Sequence, residues 1–170
     1  VLSNGPSGDH GTSVVSVAMG DSTNFVGVAP GATGIFGTFE TDLELAAVGV
    51  AALGDGINNV AVAWNNSWAV TNFGLNQSGF NAVFGSPDGQ TYLTALRNYA
   101  TVGVVVFAVD NENTGGAGLM DGLPVLENAF EAGWIAVANG VPTMVEGVVD
   151  SVYLLSSPCY ESARWCIVAD

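Results

Sequence analysis

Short apolar runs alternate along this chain with stretches rich in Gly, Ser, Asn and Asp. After a flexible-looking start ("SNGPSG"), the segment from Gly11 to Met19 predicts a short helix, and "TGIFGTF" (33–39) a strand of small residues. Asp42 predicts the cap of a helical stretch, "DLELAAVGVAALG", with acids in its first turn and a glycine at its end. "NVAVAW" (59–64) predicts a buried strand. The following "NNSWAVTNFGLNQSGFNAVFGSPDG" predicts a long polar loop, of the kind that carries function rather than mere connection. "QTYLTALRNYATVG" predicts the next helix and "VVVFAV" (104–109) a strand apolar on both faces, with further strands expected at "WIAVAN" (134–139) and "SVYLLS" (151–156). Strands without clean alternation, separated by helices, predict an α/β fold with a parallel sheet covered on both sides. With no internal repeat and no sign of a second domain, residues 1–170 are expected to form one domain.

Composition narrows the setting. Hydrophobic residues make up 49% of the 170, yet no apolar run reaches membrane-spanning length. Sixteen acidic side chains face two arginines and no lysine, a formal net charge of -14. Such a surface repels nucleic acid and anionic membranes, so neither is expected as a partner. The absence of an initiator Met and of a signal peptide leads to the expectation that something upstream was removed or not included. Cys159 and Cys166 are the only cysteines, and with one distant histidine they complete no four-ligand zinc set. A disulfide closing a short loop, worth roughly 2.5 kcal/mol on the loop-entropy model, is the better reading; two buried free thiols are the alternative. Such a bridge together with the acidity favours a secreted or cell-surface location.

Candidate chemistry follows from the topology. In a parallel sheet, sites form beyond the carboxyl ends of the strands. His10 heads the first helix, "NNSW" (65–68) follows one strand and "DNEN" (110–113) follows another, so three polar clusters are expected on one edge. His10 is the only histidine, the side chain whose unperturbed pKa best suits a general base at neutral pH. "DNENTGGAGLMDG" lacks the alternating acids of a helix-loop-helix calcium site and contains no repeated calcium nonapeptide. No metal site and no cofactor is expected, a surface calcium being left open and unassigned.

At these residues the chain resembles the subtilisin-like serine proteases. His10-Gly11-Thr12 is similar to that family's His-Gly-Thr box, "GVAPGA" (27–32) to the segment after the histidine helix, and "NNSW" to its substrate-binding strand. "VVVFAVDNEN" (104–113) resembles the strand entering the oxyanion box, "WIAVAN" the next core strand, and "CYESARWCIVAD" a Cys-bounded segment of secreted bacterial members of the autotransporter type. The resemblance covers nearly the whole chain. It implies a three-layer fold with a mostly parallel central sheet and helices on both faces, here an incomplete catalytic domain that hydrolyses peptide bonds in peptide or protein substrates. It further implies His10 as general base and Asn111 as oxyanion donor, on one cleft rimmed by Ser67, Trp68 and Ala69, which would bind substrate backbone. Phe107, Ala108 and Val109 would line the first specificity pocket.

The departures are specific. Ser13, Val15 and Ser16 replace the family's usual residues after His-Gly-Thr, and Asp110 stands where a glycine precedes the oxyanion asparagine. Asp9 adjoins His10 and is badly placed to orient its imidazole, and the Gly11-Thr12-Ser13 triplet lacks the Ala and Pro of the nucleophile box. The triad aspartate and serine are therefore expected on flanking segments of a parent chain, and these 170 residues alone are expected to be inactive. The alternative is a non-catalytic module of the same fold, serving binding or assembly.

Overall fold

The structure, a computed structural model, describes residues 9–35, 42–54, 61–70, 72–111 and 115–169. Cα packing separates the chain into two units, Val1–Thr41 and Asp42–Asp170. In the first, helix α1 spans Asp9–Met19, so that His10 is its second residue. Gly20 N–H bonds back to Ser16 O at 2.8 Å and ends the helix. The chain then turns through an Asp21–Val26 bridge, in which the Ser22 hydroxyl bonds both backbone groups of Phe25 at 3.0 Å. Val28 and Ala29 donate to Val17 O and Ala18 O, satisfying two carbonyls of the last helical turn. This return fits only because residue 27 is glycine, since a Cβ there would lie 2.6–2.8 Å from the backbone of Ser16, Met19 and Gly20. Thr33–Ile35 form no strand, and the rest of the strand expected at 33–39 lies outside the described residues.

In the second unit the predicted cap does what its chemistry requires. Asp42 accepts from Glu44 N at 3.0 Å and Leu45 N at 3.2 Å and starts α2, Leu43–Ala51. The segment read as one long polar loop holds more structure than that. Its first two asparagines complete strand β1, Ala63–Asn66, and Gln77–Phe84 form α3, capped by Asn76 through Gly79 N–H at 2.9 Å. Phe80, Val83 and Phe84 give α3 the apolar i, i+3, i+4 face that the intervening Asn81 and Ala82 disguise. Of the strand expected at 59–64, residues 59 and 60 lie outside the described residues, and Ala61 and Val62 are not in the strand. β1, an end strand among the described residues, is not buried throughout but exposes Ala63 and Asn65. Helix α4, Pro87–Ala100, follows a Ser86 cap and leads into β2, Val104–Ala108. Helix α5, Leu123–Leu126, and a 3₁₀ turn over Asn128–Gly133 precede β3, Trp134–Val145.

The sheet is mostly parallel, as the apolar strands separated by helices require. β1 pairs with β2, β2 with β3, and β3 with β5, Cys166–Ala169, all parallel. The exception is β4, Val148–Leu154, which pairs antiparallel with the second half of β3. Glu146 and Gly147 join them with φ values of 52° and 81°, the left-handed pair that matches the twist of a two-residue hairpin. This hairpin is exposed on both faces, including Val145, Val148, Val149 and Tyr153.

One buried cluster joins Ala47 and Val50 of α2, Phe84 of α3 and Leu93, Leu96 and Tyr99 of α4 to Val105 and Phe107 of the sheet. Coverage is unequal: Val104, Val106 and Ala108, alternating with those buried residues, are only half-buried. Tyr99 meets the ring of Trp64 edge-on at 6.0 Å and donates its hydroxyl to Ala61 O at 2.7 Å, which ties α4 to the approach of β1.

Candidate functional site

Register decides what lies beyond the sheet. Asn66, the last residue of β1, pairs with Phe107 of β2 in parallel, so Ser67–Ala69 and Ala108–Asn111 leave adjacent strands at the same carboxyl edge. Asn65–Trp68 and Asp110–Asn111 thus lie at or just beyond one carboxyl edge, while Glu112 and Asn113 of the second expected cluster lie outside the described residues. His10 belongs to the first unit, exposed on the first turn of α1.

Each side chain at this edge has an identifiable support. Asn66 is 1% exposed; its side-chain amide donates to Trp64 O at 3.3 Å, and its Oδ1 accepts the Trp68 indole N–H at 3.0 Å. The Asn65 amide donates to Ser67 Oγ at 2.9 Å. Trp68, half-buried, packs edge-on against Phe107 at 5.1 Å, and Phe107 in turn stacks on Trp134 at 5.3 Å. Residues 67–70 form no regular strand, while Ala69 is exposed. Of the three residues expected around the specificity pocket, Phe107 and Val109 have buried side chains and Ala108 is half-buried. Val109 N–H continues the ladder to Val137 O, Asp110 is half-buried, and Asn111 is exposed.

A second polar cluster, which sequence reasoning missed, lies on the segment after Asn111. Asp121 is 4% exposed, and Ser162, fully buried, donates its hydroxyl to Asp121 O at 3.1 Å with Asp121 Oδ2 at 3.4 Å. The Trp165 indole N–H also donates to Asp121 O, at 3.1 Å. The available signal was an acid set among Leu119, Met120 and Leu123, since a carboxyl carried into a core by such neighbours needs a partner. Burial pushes the Asp121 carboxyl up to about 6; hydrogen bonds from its own and the Gly118 backbone and from Ser162 oppose the rise, and the Asp110 charge adds to it. Glu161 moves the other way, lowered because Ala117 N–H donates to its Oε2 at 2.8 Å.

The Asp121 shift has a testable sign. A carboxyl raised by folding stabilises the fold in its protonated form, fully below the ordinary carboxylate value, and that contribution is lost as pH rises through about 6. Between pH 7 and pH 4 the protein is expected to gain roughly 2–3 kcal/mol relative to Asp121→Asn, which keeps the shape without the charge. Urea midpoints of both proteins at the two pH values check this; the comparison cancels the general relief of acidic self-repulsion, and parallel pH dependences would rule it out.

Cys159 and Cys166 form a disulfide with Cα atoms 6.0 Å apart, as expected from their spacing. Both arginines are in ion pairs, Arg97 with Glu127 at 2.8 Å and Arg164 with Glu131 at 3.1 Å. A shallow, open depression of about 280 Å³ is lined by Glu131, Ala132, Arg164 and Trp165, none of them a predicted site residue. Among the described residues, no group of three or more His, Cys, Asp or Glu side chains is arranged to hold a metal, and no helix is long and apolar enough to cross a membrane. No protein-family model, no curated protein and no solved structure matches this chain.

Proposed function

We propose that this chain is part of a secreted subtilisin-like serine endopeptidase, a partial catalytic domain of the three-layer type. The observation that supports it best is that Ser67–Ala69 and Val109–Asn111 leave neighbouring parallel strands at the same carboxyl edge, in a chain whose sequence boxes run in the family's order. In this reading His10 takes the proton of an attacking serine hydroxyl and returns it to the leaving amine, while Asn111 donates its side-chain amide to the tetrahedral oxyanion. The serine and the aspartate that orients His10 come from flanking segments of a parent chain. Ser67, Trp68 and Ala69 hold the peptide backbone as an added strand, and Phe107, Ala108 and Val109 bound the first specificity pocket. Water then releases the acyl group from the serine.

A second reading, a non-catalytic module of this fold for binding or assembly, is favoured by one feature. Asp110 is a carboxylate immediately before Asn111, beside the place where negative charge has to develop. A fluorophosphonate probe, which labels only an activated serine, separates the two. The parent protein is expected to be labelled and the isolated 170-residue chain not, because its Gly11-Thr12-Ser13 lies on the histidine helix. An unlabelled parent would favour the binding module, and a labelled isolated chain would overturn the assignment of the nucleophile to a flanking segment.

A further inference from the structure

The disulfide does more than close a loop on itself. Cys159 and Cys166 bound a single 3₁₀ turn, Tyr160–Trp165, and three of its side chains reach back across more than 40 residues. Glu161 accepts from Ala117 N–H, Ser162 donates to Asp121, and Trp165 donates to Asp121 O. Just before the bridge, Ser157, itself 3% exposed, donates its backbone N–H to Asp110 O at 2.8 Å. These contacts therefore hold the chain immediately before Asn111 and again at Ala117–Asp121 after it.

We infer that the Ser157–Cys166 segment is a positioning clamp on both flanks of Asn111, with the disulfide fixing the turn from which Glu161, Ser162 and Trp165 reach. Its consequence for catalysis rests on the function proposed above, but the clamp itself rests on these contacts alone. The physical reason is entropic. A six-residue turn with free ends would have to be ordered to present three hydrogen-bonding side chains at once, whereas a covalently closed one has lost most of that freedom already. Glu161 is the informative member because it is exposed, so replacing it leaves the core packing untouched. Its bond to Ala117 is also charge-assisted, the stronger kind.

Amide hydrogen exchange on the oxidised chain tests the clamp. In Glu161→Ala the Ala117 amide is expected to exchange about tenfold faster, with Glu161→Gln restoring most of the protection because its amide oxygen still accepts. In the Cys159→Ser, Cys166→Ser double variant the acceleration should extend to the Ser157 amide, while those of Leu93 and Leu96 in α4 stay as protected as before. Unchanged Ala117 exchange in Glu161→Ala would overturn the clamp, and so would faster exchange spread equally over α4. In the parent protein, Glu161→Ala should lower kcat with little change in KM and Glu161→Gln should recover it. Faster Ala117 exchange with kcat unaltered would leave the clamp standing and count against Asn111 as the oxyanion donor.

Discussion

Phe107→Ala is expected to destabilise the second unit by about 3–5 kcal/mol. The phenyl ring is fully buried, stacked on Trp134 at 5.3 Å with an interplanar angle of 14° and met edge-on by Trp68 at 5.1 Å. Removing it therefore leaves a cavity between two indoles that are themselves fixed by hydrogen bonds, Trp134 to Met120 O and Trp68 to Asn66. Neither indole can collapse into the space without giving up its polar partner, which puts the loss toward the upper part of that range. All four tryptophans lie in this unit, so tryptophan fluorescence in a urea titration follows its unfolding specifically. Val148→Ala on the exposed hairpin is the control and should change stability by less than about 0.5 kcal/mol. A Phe107→Ala loss below about 1 kcal/mol would mean that the stack does not anchor the strand leading to Asn111.

What was legible in the sequence was what local chemistry decides. Asp42 announces α2 because its carboxylate satisfies the orphan N–H groups next to it, a bond made within three residues. The apolar run 104–109 announces β2 because only a central strand needs both of its sides to be apolar. Helix α3 was missed because its apolar positions cover barely two turns between asparagines and glycines, and it exists through packing of Phe80 and Phe84 in the core. The antiparallel sense of β4 depends on the Glu146–Gly147 turn, which a reading of apolar runs alone passes over.

The site divides in the same way. That "NNSW" and Asp110–Asn111 share an edge follows from the parallel pairing of the strands they terminate, and this much the topology rules reach. Asn66 as the brace of Trp68, and Asp121 as the anchor of the disulfide-bounded turn, are contacts between a side chain and what the fold happens to bring beside it. An acid in an apolar run gives warning that something must satisfy it. Its partner, 41 residues further on, has no such mark in the sequence.

If the proposed function holds, His10→Ala in a chain that also carries the serine and aspartate is expected to lower kcat by at least about 10⁴-fold, the size of loss that removal of a triad member causes in serine proteases. Asn111→Ala is expected to cost about 100- to 1000-fold in kcat with KM little changed, as for the equivalent donor in subtilisin-type enzymes. The two differ because His10 would move a proton in every bond-making and bond-breaking step, whereas Asn111 would only stabilise charge that also finds backbone donors. Both side chains are exposed, His10 on the first turn of α1 and Asn111 beyond β2, so neither change should alter stability by more than about 0.5 kcal/mol. Circular dichroism and urea midpoints of the variants therefore separate lost chemistry from lost fold. The informative quantity is the split between kcat and KM. A donor aimed at the oxyanion is felt only once the carbonyl oxygen carries charge, and so acts on kcat, while a residue that merely binds peptide acts on KM. Mild, equal losses in the two variants would make His10 an ordinary surface histidine on a helix start and would favour the binding module, with Asp110 beside Asn111 the reason that no anion is stabilised there.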